Sequence, residues 1–449
     1  MSGGYTDGAK QWIINQSGKN RLKRVFNQGE FSRFTALSRI CWRIKSVFHN
    51  LQPNTQPMSH LRLFAIVTIL SVSTTPDSTT AAETRPPRAR DLGIPFKGTP
   101  GPLNAITDVA GVLVGHSTII KGSGPLKIGE GPVRTGVTAI LPTGRTFQPI
   151  FAAWSTLNGN GEMTGTKWIE ESGFLEEPIL LTNTHSVGQV AHASISWRAK
   201  RGYHPKGDPF GWAALPVVAE TWDGRLNDIH GRHIRESHVF EALDAAQSGP
   251  VAEGNVGGGT GMICHQFKSG IGAASRKLLN GYTVGVLVQA NYGRREDLTI
   301  AGINVGRQLT EKMPVIHSLA PVFKGNSLIA IVCTDAPLLP HQLKRIAKRV
   351  PLGIGRTGGF GSNSSGDIFL AFSTAVPYET SKAGPLNVKM LPNAAIDPFF
   401  QATVQATEEA IINALVAARD MTGINGNTVY ELPHQKLIAL LKEHKIINE

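Results

Sequence analysis

The sequence predicts a layered domain of α/β or α+β class in which helices cover buried sheets. Short runs rich in β-branched residues, too continuously apolar for surface strands, recur from about Asp91 onward and are punctuated by glycine. Segments with helical apolar spacing are interspersed among these runs rather than gathered at one end. The 449 residues, 41% hydrophobic and 17% charged, are enough to bury a large core without disulfides or structural metals.

Taken in order, residues 107–120, 135–142 and 177–183 read as strands. Residues 185–202 follow with helical spacing, Val187, Val190, Ala193 and Trp197 sharing one side. Strands are expected again at 282–293 and 327–336. A helix comes next in PHQLKRIAKRV, where Leu343, Ile346, Ala347 and Val350 form the apolar stripe, and then a glycine-rich loop at 353–367 and a strand at 368–374. Asp397-Pro398 pairs a capping residue with the proline favoured at the first helical turn, and the face of that helix is read as Phe400, Val404, Ile411, Leu415 and Ala418. A last helix lies in LPHQKLIALLKEHK.

The formal charge of +12 suggests nucleic acid, but its distribution does not. Residues 1–57 carry +7 of it, leaving a mildly basic remainder and no case for a nucleic-acid partner. This basic stretch reads as an extension from a mis-assigned start codon, an organelle transit sequence or a disordered arm. From Met58 a short start with Arg62, an apolar run from Leu63 to Val72 and small residues have the layout of a secretory signal peptide at 58–82. Its cleavage would fall near Ser73 or Ala81-Ala82. The run is too short for a stable membrane span. The protein is therefore expected outside the cytoplasm, periplasmic or secreted, if this segment is a signal, and cytoplasmic otherwise. Cys41, Cys264 and Cys333 form no C-x-x-C pair, and Cys264 and Cys333 are expected to be free buried thiols.

Three stretches carry possible chemistry. GNVGGGTGM (254–262) lacks the preceding strand and the later acidic residue of a dinucleotide fingerprint, so it reads as a structural turn or pocket wall. DIHGRHIRESH places Asp228, His230, His233 and His238 close together, but its flanking Arg232, Arg235 and Glu236 favour a solvated basic face over a metal site. KGNSLIAIVCTDAP (324–337) runs from a small polar junction into an apolar strand. The plain reading is a turn and a buried strand. The chemical one is a serine that becomes an N-terminal nucleophile once its preceding peptide bond is cut; an α-amine with reference pKa near 8 can act as a base near neutral pH.

GNSLIAIVCTDAPLLPHQLKRIAKR, followed by GRTGGFGSNSSGDIFLAFST, resembles the L-aminopeptidase/D-Ala-esterase/amidase family, which includes the β-aminopeptidases. RTGVTAILP, NGNGEMTG, LLTNTHSVG, ETWDGRLNDIHG, GGGTGMICHQFKSGIG and VLVQANYGRRED resemble that family in the same order, and the likeness covers about residues 88–445. The resemblance implies a four-layer αββα sandwich like that of the N-terminal nucleophile hydrolases but with different connectivity. It implies a precursor cut between Asn326 and Ser327 into an α chain (83–326) and a β chain (327–449), the pairs assembling as a homo-oligomer. Ser327 matches the nucleophile, Ser365 and Asp367 match the family's second serine and its nearby carboxylate, and Asn291 matches the oxyanion-stabilising asparagine. Some relatives carry Glu where Asp367 stands.

Glu220 is a candidate partner for the substrate's free ammonium, beside the alternative of a solvated surface carboxylate. Trp222 occupies a position where relatives carry Tyr, whose hydroxyl is thought to help at the oxyanion; an indole N–H is also a donor but differs in reach. The implied reaction is hydrolysis of short peptides, amides or esters with a free amino terminus, with no metal and no cofactor. Two other readings stand beside it: an acyltransferase related to the ornithine acetyltransferases, which use Thr rather than Ser as nucleophile, and a non-catalytic relative that keeps the fold.

Overall fold

The computed structural model describes residues 85–146, 148–203, 215–317, 327–375 and 387–448. The leader read at 1–57 and 58–82 and the cleavage-site residue Asn326 lie outside them. The strands in chain order are β1 (Leu113–Lys121), β2 (Val133–Arg145), β3 (Ile150–Gly159), β4 (Phe174–Leu175), β5 (Ile179–Asn183), β6 (Val217–Thr221), β7 (Ile263–Cys264), β8 (Phe267–Lys268), β9 (Ile271–Lys277), β10 (Thr283–Asn291), β11 (Thr299–Ile300), β12 (Ile303–Asn304), β13 (Ser327–Thr334), β14 (Gly366–Ser373), β15 (Met421–Thr422) and β16 (Thr428–Val429). The helices are α1 (Thr166–Ser172), α2 (Val187–Arg201), α3 (Glu236–Asp244), α4 (Pro340–Ala347), α5 (Val350–Arg356), α6 (Asp397–Val416) and α7 (His434–Glu443).

Among the described residues two main sheets form, one of four strands in the order β1-β2-β5-β6 and one of six in the order β4-β3-β14-β13-β10-β9. Strand alternation assigns each face. Leu328, Ala330 and Val332 of β13 join the core packed under α4 to α7. Ile329, Ile331 and Cys333 of the same strand join Ile140, Leu181 and Ala219 in a second core between the sheets. On the far side, Val137 and Leu180 pack with Val190, Trp197 and Val239 of α2 and α3. Helices, sheet, sheet, helices make the four-layer αββα sandwich that the resemblance implied.

Several elements differ from their sequence reading for identifiable reasons. The first strand begins at Leu113 rather than 107, because Ile106–Asp108 closes a 3₁₀ turn. The glycine-rich loop is shorter at its start, since Val350–Arg356 continues as α5. Asp397 is the first residue of α6 rather than its cap, which is Ile396. That helix is centred on Phe399, Ala402, Ala406 and Ala410, with Phe400 and Val404 only half-buried. It lies so close to the sheet that a Cβ on Gly272 of β9 would sit 2.0 Å from the Ala410 carbonyl oxygen and 2.6 Å from the Ala414 nitrogen. Small residues on the helix and none on the strand permit that approach. Cys264 and Cys333 are free and buried, as expected.

Gly272→Ala is expected to separate β9 from α6 and destabilise the protein by about 1 to 3 kcal/mol, the usual cost of overpacking. Thermal denaturation reads this as a lowered midpoint, and an unchanged midpoint would show that the helix shifts freely.

Candidate active site

Topology brings the implied catalytic residues to one end of the six-stranded sheet. β13 and β14 are parallel, so their first residues lie side by side, Ser327 opposite Gly366 and Leu328 opposite Asp367. β10 runs antiparallel to β13 and therefore ends where β13 begins, with Asn291 opposite Ser327. β3 is antiparallel to β14 and delivers Asn158 and Gly159 opposite Asp367 and Gly366. A parallel pair needs a crossover connection, and α4, α5 and the loop before Ser365 supply it. By alternation Ser327 and Asn291 both fall on the inter-sheet face, in step with Ile329 and Leu287.

Ser327 is 7% exposed, and its Oγ accepts a hydrogen bond from the Gly366 N–H at 3.2 Å. The same peptide unit is held from its other end, where the Ser365 carbonyl accepts the Asn160 N–H at 3.2 Å. The Ser365 hydroxyl donates to Oδ2 of Asp367, while Oδ1 accepts the Leu328 N–H at 3.0 Å. Burial pushes the Asp367 carboxyl up to about 6, opposed by the hydrogen bonds from Ser365, Leu328 and Asn158. Among the described residues no histidine hydrogen-bonds Ser327. The half-buried His116 and the buried His265 are both pushed down to about 4 by desolvation and stay neutral near pH 7.

Asn291 has a fixed amide. Its Oδ1 accepts the Ile263 N–H at 2.8 Å and its Nδ2 donates to the Trp222 carbonyl at 3.0 Å. An amide nitrogen has two hydrogens, so one remains for a developing oxyanion. Trp222 meets the site through this carbonyl. Its ring lies against its own loop, 2.5 Å from where a Cβ on Gly224 would stand and 5.4 Å from the Arg225 guanidinium carbon.

Glu220 is not a surface carboxylate. It is 4% exposed, accepts the Glu162 N–H at 3.1 Å and the Thr184 hydroxyl, and burial raises its pKa against the pull of those two donors. Gly161 sits between it and Gly366, the residue opposite Ser327: a Cβ there would be 3.2 Å from Oε1 of Glu220 and 3.2 Å from the Gly366 Cα. Sequence reasoning quoted NGNGEMTG and LLTNTHSVG without giving roles to Asn158, Gly161 or Thr184. The recurrence of those motifs was the available signal.

The other stretches resolve structurally. Gly258 is a wedge between the sheets, a Cβ there falling 2.2 Å from Gln289 Oε1 and 2.6 Å from the Leu181 carbonyl oxygen, which leaves no room for a nucleotide. Of the histidine-rich stretch, Asp228 is buried rather than solvated. It accepts the Gly129 and Gly231 N–H groups and pairs with His233 Nε2 at 2.8 Å, so it anchors loops. Among the described residues no cluster of three or more metal-binding side chains occurs, and no helix is long and apolar enough to cross a membrane.

Asp367 gives stability a pH dependence of definite sign. Its folded pKa lies above its ordinary value of 3.8, so between about pH 4 and pH 6 the folded state keeps a proton that the unfolded chain has released. The stability tied to this group is fully present below that window and is lost as pH rises through it. Asp367→Asn does not ionise, so its thermal midpoint relative to the parent is expected to rise by a few degrees from acid to neutral pH. A constant difference across that range would count against a desolvated carboxylate.

Peptidase family S58 matches residues 104–429. Beta-peptidyl aminopeptidase BapA of Sphingosinicella microcystinivorans is 52% identical over 379 residues, covering 81% of this chain and 94% of that protein. The protein of the same name from Sphingosinicella xenopeptidilytica is 48% identical, covering 79% and 91%. Among solved structures, L-aminopeptidase D-Ala-esterase/amidase from Ochrobactrum anthropi, described as a variant of the Ntn hydrolase fold, superposes with TM-score 0.74 at 46% identity over 81% of this chain and all of that one. A Burkholderia sp. beta-aminopeptidase superposes with TM-score 0.71 at 48% identity over 80% and 99%. The chain therefore belongs to peptidase family S58 and is a peptide-bond hydrolase of the aminopeptidase type.

Proposed function

We propose that the chain is a self-processing serine aminopeptidase in which Ser327 is the nucleophile of both self-cleavage and turnover. The observation that carries this reading is the seating of Ser327 at the start of a central strand, against Gly366, opposite Asn291 and beside Asp367. In self-cleavage the Ser327 hydroxyl attacks the Asn326 carbonyl carbon. The C–N bond breaks as the amine takes the hydroxyl proton, and water then hydrolyses the ester to leave an Asn326 carboxylate and a free Ser327 amine. In turnover that amine takes the hydroxyl proton during attack and returns it to the leaving amine, and water releases the acyl group from the ester. Asn291 Nδ2 donates to the oxyanion in both tetrahedral intermediates. Ser365, held by Asp367, assists proton movement at the same strand ends.

The substrates are short peptides, amides or esters with a free amino terminus, whose ammonium group pairs with Glu220. A buried carboxylate favours that cation because it leaves water with a partner already at hand. Two relatives named beta-peptidyl aminopeptidase, both near half identity, support N-terminal β-amino acids among these substrates. The family resemblance supports assembly of αβ pairs into a homo-oligomer. The signal-like segment at 58–82 supports export, which N-terminal sequencing of protein recovered outside the cytoplasm would test.

Intact mass spectrometry is expected to show two chains parting at Asn326/Ser327, the smaller of 123 residues. Ser327→Ala is expected to stay whole and inactive; splitting at the same bond in that variant would show the nucleophile to be elsewhere. Glu220→Gln is expected to raise KM for amino-acid amides by about ten- to a hundredfold, the worth of a charge-assisted hydrogen bond. Steady-state kinetics on alanine and β-alanine amides, with and without an acyl acceptor, measures this and reveals any acyl transfer.

A further inference from the structure

Lys268, the last residue of β8, is fully buried, 0% exposed. Among the described residues it has no carboxylate partner. Its Nζ instead donates to two main-chain carbonyls, Met262 O at 2.7 Å and Ser269 O. Desolvation pulls its pKa well below that of an ordinary lysine. An ammonium held this way is expensive to bury, and a methionine would fill the same space at lower cost. What the lysine adds is a hydrogen-bond donor at two carbonyls, one of which, that of Met262, also accepts the Ser269 N–H at 3.2 Å and leads toward the site.

That carbonyl belongs to the peptide unit linking Met262 to Ile263, and the N–H of the same unit donates to Asn291 Oδ1. Asn291 in turn donates through Nδ2 to the Trp222 carbonyl. The Met262 side chain is fixed as well, its Sδ accepting the Thr221 hydroxyl at 2.8 Å one residue before Trp222. An unbroken line of donors and acceptors therefore runs from Lys268 Nζ through one peptide plane to the Asn291 amide. Each hydrogen bond in such a chain polarises the next: a donor on the Met262 carbonyl strengthens the Ile263 N–H, which draws electron density from the Asn291 amide and makes its Nδ2 hydrogens better donors. The line also fixes which end of the amide faces which partner, since Oδ1 is committed to Ile263.

We propose that Lys268 is a positioning residue for the oxyanion donor, orienting and polarising the Asn291 amide through the Met262–Ile263 peptide unit. The proposal rests on the assignment of Asn291 to the oxyanion. Because the oxyanion exists only beyond the ground state, the effect of Lys268 falls on kcat rather than on KM.

A double-mutant cycle on the processed enzyme tests this, with β-alanine amide as substrate and turnover normalised to processed β chain by mass. Lys268→Met is expected to lower kcat about tenfold with KM nearly unchanged, and Asn291→Ala to lower it about a hundredfold or more, the usual loss of an oxyanion donor. The double variant should be no slower than Asn291→Ala alone, while the loss of thermal midpoint caused by Lys268→Met should be the same in both backgrounds. Lys268→Gln, which keeps an N–H donor and is gentler on folding, should recover part of the kcat. Losses in kcat that multiply, or a lowered midpoint with kcat intact, would overturn the role of Lys268 and leave that of Asn291 standing. An Asn291→Ala enzyme with parental kcat would overturn both.

Discussion

The site depends on one constraint, the register of the parallel pair β13 and β14. Because Ser327 pairs with Gly366, the Ser327 hydroxyl sits over a main-chain N–H, and the next residue places its own N–H on Asp367. A slip of one residue would turn Ser327 toward the helices and put Leu328 between the sheets. The register is held by what lies below it. Ile329 and Ile331 are committed to the core between the sheets, and Leu328 and Ala330 to the core under α6. The geometry at the strand ends is thus fixed by apolar packing several residues away. Gly366 could not be another residue there, since a Cβ would lie 2.5 Å from the Asn160 carbonyl oxygen.

Desolvation is the second organising influence. Glu220 and Asp367 are both buried, and both are shifted upward for that reason. Their hydrogen bonds limit the shift without cancelling it. The result is a pair of buried carboxylates that differ in their hydrogen-bond partners. Glu220 receives only a hydroxyl and a main-chain N–H, and a cation would supply the charge it lacks. Asp367 is tied to the hydroxyl of Ser365 and, through the Leu328 N–H, to the strand that begins with Ser327.

How much of this was legible depended on what kind of partner each residue has. β13 and β10 were readable because continuous β-branched runs are strands on any face, and Ser327 and Asn291 stand at their ends. The face of α6 was read in part: Ile411, Leu415 and Ala418 are buried as expected, but the first turns meet the sheet through Ala402, Ala406 and Ala410, and a scale that rewards large side chains passes over a face chosen for closeness. β6 is five residues long, and Glu220 stood open between ammonium partner and surface acid because nothing in VVAET announces Thr184 or Glu162. Lys268 was unreadable for a further reason: its partners are main-chain carbonyls, which every residue possesses and which only the tertiary fold can bring together.

The same distinction bears on Trp222. Sequence comparison draws attention to its side chain, since an indole replaces a phenol, yet the contact that matters to Asn291 is made by its carbonyl oxygen. A main-chain acceptor is indifferent to the side chain it carries, provided the loop keeps its path. Here the path is kept by Thr221 on one side, bonded to Gln289 of the opposite sheet and to Met262, and by Asp223 on the other, which is fully buried and receives the Asn227 amide at 3.0 Å. The indole lies against Gly224 with the Arg225 guanidinium carbon 5.4 Å from its ring, so it braces the loop. The amide of Asn291 is thus held by the carbonyl of Trp222 and the N–H of Ile263, both main-chain groups. An exchange of aromatic side chains at this position leaves that donor in place while altering the wall beside it.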